Sequence, residues 1–325
     1  MMAVSTTVST IREAWLRLHG VICVYKPTRV SCPKLRELIV NNICRDINQL
    51  EPSPPRSYAK IESRVTETET GVAVNYEVSS VPNLADHELV RGPAIIHEDI
   101  RMGWAYTIGA RTSGVVVLGI NKGNRNVREY AQSKPTSTYH VKGVLGLATD
   151  NHWEDGKVWE KTTYAHLTKG KIDQILSSIQ ATNQKKMFEY CGVDPTSQTA
   201  YELASKGLLR PALKGPPLIY GIKCIHFEPP DFTLEIHIIN ENEKYFATLV
   251  HDLGLTLKSS AVCRQIRCIR YGCFTVQDAL LQKHWSLKFF PDNMSLCHSK
   301  LLALPKVQPL LTPYDQVQRP NTTSV

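Results

Sequence analysis

The side chains with which this chain could do chemistry are numerous but scattered: nine cysteines, eleven histidines and thirty acids among 325 residues. None falls into a self-sufficient motif. There is no Gly-rich phosphate loop, no dinucleotide fingerprint, no His-Glu-x-x-His zinc helix and no Gly-x-Ser-x-Gly nucleophile elbow. The histidines have no ligand spacing, and His237 and His251 read as ordinary surface or core residues. Cys263, Cys268 and Cys273 recur every five residues in a segment patterned like a strand. Strand alternation would send successive members to opposite faces, which favours packed thiols over a shared metal. The odd cysteine count and the lack of any Cys-x-x-Cys pair argue against a disulfide framework and for a reducing compartment. The residues by themselves therefore call for neither a metal nor a cofactor.

Charge says more about partners than about chemistry. Lys and Arg number 38 against 30 acids, a formal +8, and the isoelectric point is near 8.9. A moderately basic globular chain suits a polyanion such as nucleic acid, although charge alone does not single it out. Hydrophobic residues make up 42% and charged residues 21%, a folded composition. No apolar run is long enough to span a bilayer. Residues 1–17 are rich in Ser and Thr, carry Arg12 and Arg17, and hold one acid, Glu13. That resembles a mitochondrial transit segment and equally a frayed terminus leading into a short helix.

The elements that would position functional groups are legible from periodicity. Gly20 to Tyr25 reads as a strand ending at Lys26-Pro27, since proline cannot donate to a ladder. Leu35, Leu38, Ile39 and Ile43 mark a helix over 33–44. The polar stretch 45–93, with Pro52, Pro54 and Pro55, reads as an insertion or hairpin. Val115–Ile120 and Tyr139–Leu145 read as strands, with a helix over 127–132 between them. Ile172, Ile175, Leu176 and Ile179 give an amphipathic helix, and 201–209 a second one. Segments 218–227 and 232–239 form a strand pair turning at Pro229-Pro230. A helix over 245–253 should close at Gly254. A strand over 262–271 carries Arg264, Arg267 and Arg270. Five prolines, from Pro291 to Pro320, make 288–325 a loosely ordered tail. Helices and strands mix without βα regularity, which predicts an α+β fold around a mixed, largely antiparallel sheet with flanking helices.

Several segments, taken in order, resemble the TruB family of RNA pseudouridine synthases, and among them the mitochondrial TruB-like proteins of animals. The likeness covers roughly residues 18–285. Its segments are Gly20-Val-Ile-Cys-Val-Tyr-Lys-Pro27 with Ser31, then Ser113-Gly-Val-Val-Val-Leu-Gly119, then Tyr139 with Leu145-Gly146, Asp150 and Asp155-Gly156. They continue through Tyr201-Glu-Leu-Ala204 with Gly207 and Arg210-Pro211, and end at Tyr245 with Asp252-Leu-Gly254. The resemblance implies a pseudouridine synthase domain over 18–287 and an RNA substrate. It implies that a flipped-out uridine is attacked by an Asp, loses its glycosidic bond, turns, and is rejoined to the sugar through C5, with no metal or cofactor. It also implies that a tyrosine stacks on the base and that an Arg pairs with the Asp. Tyr139 and Tyr245 are then the substrate-binding aromatics, Lys26 a further site residue and Arg267 a phosphate contact. Mitochondrial RNA, and the processing or ribosome-assembly proteins that handle it, are the implied partners, and the mitochondrial matrix the implied address.

The sequence departs from that pattern at both members of the charge pair. Gly109, in Tyr106-Thr-Ile-Gly-Ala-Arg-Thr-Ser113, stands where the Asp is expected, and Ala247 stands where its Arg is expected. Losing both is physically coherent, because losing one would strand a buried charge. The closest acid upstream, Asp99, lies ten residues before Gly109 and cannot take its place without remodelling the loop. Two functions follow. One is uridine isomerisation in mitochondrial RNA. The other is a catalytically impaired TruB-type protein that binds RNA or serves its assembly. A basic protein-interaction module without RNA is the third and weakest reading.

Overall fold

The computed structural model describes residues 10–51, 56–68, 71–194, 196–205 and 215–304. The hydroxyl-rich start, Gly207 with Arg210-Pro211, and the prolines from Pro305 onward lie outside the described residues.

The chain enters through α1 (Ile11–Arg17), capped by the Thr10 side chain. Ala14 and Leu18 are buried in the same core as the residues that follow. The described end of the segment expected to serve as a transit sequence, residues 10–17, is therefore part of the folded body. Next come β1 (Gly20–Lys26) and α2 (Cys32–Asn48). The apolar stripe of α2, Leu35, Ile39 and Ile43, is fully buried, and the helix starts at Ser31, whose side chain accepts from Lys34 N. The expected insertion is a ribbon of two long antiparallel strands, β2 (Ser57–Thr68) and β3 (Gly71–Pro82), followed by the single turn α3 (Glu88–Arg91).

The central sheet uses β4 (Met102–Trp104), β5 (Thr112–Ile120) and β6 (Ser137–Leu145), with α4 (Gly123–Gln132) between the last two. A small pair, β7 (Leu147–Thr149) and β8 (Val158–Lys161), precedes α5 (Lys169–Cys191) and α6 (Gln198–Ser205). Strands β9 (Leu218–Glu228) and β10 (Asp231–Ile239) are the expected pair. Then follow α7 (Glu243–Thr256), β11 (Ala261–Tyr271), β12 (Phe274–Thr275) and α8 (Phe290–Leu302).

The strand order is β1-β5-β11-β6-β10-β9, with β4 on β5 and β12 on β11. Every pairing is antiparallel except β11 with β5, so the sheet is mixed and largely antiparallel, as expected for α+β. That parallel contact is short, joining Ile266–Cys268 to Thr112–Gly114. Gly114 sits at φ +126°, and a Cβ there would strike the Cys268 backbone, so the crossing requires glycine. Strands β1 and β5 are buried on both faces, Val115 and Val117 in one core and Val116 and Leu118 in the other. On β6, β10 and β11 the helices cover one face, α7 lying on β11 and β6 and α5 on the neighbouring β9, and most of the buried apolar side chains of these strands lie on it.

Three expectations are corrected. The helix over 245–253 does not close at Gly254 but runs on to Thr256. Gly254 is there for space: a Cβ would meet the backbone of Ser260 and Ala261, where α7 lies against the start of β11. The segment from Pro291 is no loose tail as far as Leu304, because proline at the first turn of a helix is well tolerated. Helix α8 begins there and buries Phe290, Met294 and Cys297. Simple alternation also fails in β11. Register shifts between Cys263 and Gln265 and between Cys268 and Arg270 each insert an extra residue. Cys263, opposite Gly143, and Cys268, opposite Tyr139, therefore share the core face. Arg267, opposite His140, and Arg270, opposite Thr138, share the other.

No helix among the described residues is long and apolar enough to cross a membrane. Gly254→Ala is expected to lower stability by about 1–3 kcal/mol through overpacking, against a helix-propensity gain of up to about 1 kcal/mol. Urea unfolding followed by circular dichroism checks the sign.

Candidate active site

The loop 107–112 between β4 and β5 carries Gly109, and several of its backbone polar groups are tied to other parts of the chain. From below, the Ile108 carbonyl accepts from Cys32 Sγ at 3.4 Å. The Ala110 carbonyl accepts from Arg29 N at 2.7 Å and from Lys26 Nζ at 3.3 Å. Lys26 is fully buried, and its ammonium also donates to the carbonyls of Pro27 at 3.0 Å and Val30 at 2.6 Å. An ammonium has three donors, and here each meets a carbonyl, so Lys26 clamps the β1–α2 turn to the loop. Burial pushes its pKa down, partly offset by Cys32 and by the carboxylate of Glu243.

From above, Glu243 at the start of α7 closes the loop. Its Oε2 accepts from Arg111 N at 2.9 Å, Thr112 N at 3.0 Å and Thr112 Oγ1 at 3.1 Å. The α7 amide of Tyr245 is served instead by the Asn242 side chain at 2.7 Å, which leaves Glu243 free to reach across the site. Gly109 lies directly beneath this carboxylate. A Cβ there would fall well inside contact distance of Glu243 Oε2 and Cδ. Gly109 is not in the left-handed region, so what calls for glycine is space and not backbone conformation.

A cavity of about 460 Å³ opens over this loop, lined by Thr107, Gly109, Thr112, Tyr139, Glu241 and Glu243, with Phe246 at its wall. Tyr139 is 2% exposed. Its ring packs against Phe246 at 4.6 Å and its hydroxyl donates to Glu241 Oε1 at 2.7 Å. Burial raises the pKa values of both Tyr139 and Glu241. The two carboxyls of the cavity are thus differently placed: Glu241 is enclosed beside a phenol, Glu243 is held by two backbone amides and a hydroxyl.

The remaining expected site residues are dispersed. Tyr245 is partly buried on α7, with its ring centre 6.1 Å from that of Phe246, and burial raises its pKa. It does not line the cavity. Ala247 is packed in the core beneath α7 at 1% exposure. Arg267 lies on the uncovered sheet face, with its guanidinium 5.5 Å from the Tyr25 ring centre. There it borders a second depression with His140, His237 and Arg270. Arg264, on the bulge, is tied to Glu154 at 2.7 Å and to Asp231 at 2.5 Å. Asp99 caps its own turn by accepting from Ile96 N and does not line the cavity. Glu241 and Glu243 were not singled out from the sequence. The signal was Glu-Asn-Glu just ahead of Tyr245, which reads as ordinary first-turn acid at a helix start.

A family model described as "TruB family pseudouridylate synthase (N terminal domain)" matches residues 95–244, which takes in the loop, Tyr139 and both carboxyls. A Xenopus tropicalis protein named "Pseudouridylate synthase TRUB2, mitochondrial" is 43% identical over 283 residues, 87% of this chain and 86% of that one. This chain belongs to the TruB family. A Homo sapiens protein of the same name is 40% identical over 276 residues, 85% of this chain and 83% of its own. A Thermosipho melanesiensis protein named "tRNA pseudouridine synthase B" is 25% identical over 211 residues, 64% of this chain and 66% of that one. Within this TruB chain, loop 107–112 and the start of α7 form one polar unit joined by Glu243.

Gly109→Asp is expected to destabilise by about 1–3 kcal/mol, since its Cβ overlaps the Glu243 carboxylate. Combining it with Glu243→Gly should recover part of that loss, with a coupling of at least about 1 kcal/mol in a denaturant double-mutant cycle. A second expectation concerns Glu241. A carboxyl whose folded pKa is raised costs nothing below its unfolded value and loses stability as pH rises through the folded value. Glu241→Gln, which still accepts from Tyr139, should therefore match wild type at about pH 4 and melt higher by pH 8. Thermal melts across that range test this, and a difference constant with pH would remove ionisation as its cause.

Proposed function

We propose that this protein isomerises uridine to pseudouridine in mitochondrial RNA, at the cavity above Gly109. One observation carries the reading. In a chain that shares 40–43% identity with proteins named mitochondrial pseudouridylate synthases, two aromatics, Tyr139 and Phe246, line one cavity with an oriented carboxylate, Glu243. A nucleoside entering that cavity has to leave its stack, at a cost of a few kcal/mol, and aromatic contact returns about 1–3 kcal/mol per base. In this reading Tyr139 is the aromatic contact and Tyr245 supports it through Phe246. Lys26 positions the loop, and Arg267 with Arg270 meets phosphate along the open sheet face. Neither metal nor cofactor is assigned. The mitochondrial address rests on the names of the relatives.

A second reading is favoured by Gly109 and the buried Ala247. Without the acid and the arginine that the family resemblance calls for, the protein binds RNA, or joins the proteins that process it or assemble ribosomes on it, and performs no chemistry. A map of pseudouridine in organelle RNA with and without the protein separates the two. Sites lost on removal support isomerisation, and an unchanged map supports the binding role. Under either reading, affinity for single-stranded RNA should fall with salt, with a log–log slope of about 0.7 per phosphate neutralised. A flat slope in a fluorescence titration would remove RNA from both.

A further inference from the structure

We infer that Glu243 is the catalytic carboxylate of this cavity, a nucleophile carried on the first residue of α7 in place of one on the loop below it. The inference rests on the isomerase reading and adds to it the identity of the reacting group.

The geometry has four parts. First, the Glu243 carboxylate occupies the space into which any side chain at position 109 would project. Gly109 and Glu243 are thus a matched pair: the loop lacks the side chain, and the helix delivers a carboxylate into the same volume. Second, the carboxylate is oriented from one side only. All three of its hydrogen bonds fall on Oε2, from Arg111 N, Thr112 N and Thr112 Oγ1. No hydrogen bond to Oε1 occurs among the described residues, and the side chain lines the cavity. One oxygen is anchored and the other is available, which is the preorganisation a nucleophile needs. Third, the residues around it fit a nucleoside. Tyr139 and Phe246 line the same cavity as Glu243, and position 109 beneath the carboxylate adds no side chain of its own. Fourth, the second carboxyl, Glu241, is engaged by the Tyr139 hydroxyl, and its burial favours the protonated form. Glu243 is the other carboxyl of the cavity, held by two amides and a hydroxyl, with the Lys26 ammonium on the far side of the loop.

The chemistry balances within the substrate and this one group. Oε1 of Glu243 bonds to C1′ of uridine as the C1′–N1 bond breaks, and the bonding pair leaves on N1. The detached uracil anion turns so that C5 faces C1′. A ring electron pair forms the C5–C1′ bond, and the ester oxygen departs with its pair, restoring the carboxylate. The proton on C5 is released and N1 takes one up, so product and substrate have the same composition and no electrons are gained or lost overall.

The test uses the full chain and a hairpin RNA whose loop uridine is tritiated at C5. Release of tritium reports C5–C1′ bond formation, and fluorescence anisotropy reports binding. Glu243→Gln keeps an oxygen able to accept from Arg111 and Thr112 but removes the nucleophile. It should bind RNA within about twofold of wild type, since uniform binding is untouched, and lose about 10³-fold or more in tritium release. Glu160→Gln, on the exposed strand β8, is the control and should match wild type. Glu243→Ala removes the carboxylate altogether, and it decides the matter if the Gln variant fails to fold. Loss of release with binding intact supports the assignment. Wild-type release in a folded Glu243→Gln or Glu243→Ala protein overturns it and leaves the isomerase reading standing. A wild-type protein that binds the hairpin but releases no tritium overturns both.

Discussion

The 107–112 loop is gripped from two sides by opposite charges. Beneath it, a fully buried ammonium at Lys26 gathers carbonyls from two separate segments, and above it the Glu243 carboxylate gathers amides. Where the loop is covered, each unsatisfied backbone group would cost about 1–3 kcal/mol. Pairing carbonyls with a cation and amides with an anion removes that cost for the groups named. The three regions joined here, the end of β1, the entry to β5 and the start of α7, are distant in sequence. The clamp therefore fixes how α7 sits on the sheet, which walls the cavity has, and why position 109 has no room for a side chain.

The sheet divides into two parts of different character. Around β1 and β5 both faces are apolar, because α2 lies on one side and α4 on the other, and α8 contributes side chains to both cores. Around β6, β10 and β11 the helices cover one face only, and the other presents His140, Lys142, His237, Arg267 and Arg270. The two bulges in β11 are what make that face consistent. Without them Arg267 and Arg270, three residues apart, would point to opposite sides, and one would be driven into the core.

The regular elements were legible because burial on one side imposes a period: the stripe of α2, the stripe of α5 with Ile172 and Leu176, and the run of β5 all read directly. What was not legible depends on partners far away in the chain. Gly254 looks like a helix stop by local rule, yet its reason is the backbone of Ser260 and Ala261. Pro291 looks like a breaker, yet it sits in the first turn of α8, where proline does no harm. Arg264 and Cys268 cannot be assigned faces until the bulges are known. Glu243 looks like a dipole-facing acid, and only the fold brings it over Gly109, more than a hundred residues away. The departures at Gly109 and Ala247 could be read from the sequence, but what fills the first of them could not.

The β2–β3 ribbon, finally, bears on the behaviour of the protein in solution. It is only two strands wide and pairs with no other strand among the described residues, so each strand offers one unpaired backbone edge along its length. Ile61, Tyr76 and Val78 stand exposed on it. Such a ribbon invites edge-to-edge association with any extended chain it meets. Its charges stand guard against that: Lys60 beside Glu62, and Arg64 paired diagonally with Glu77, place ionic side chains along β2 and at one position of β3. An added strand would have to desolvate them, and in this way the ribbon keeps its length without becoming a seed for aggregation.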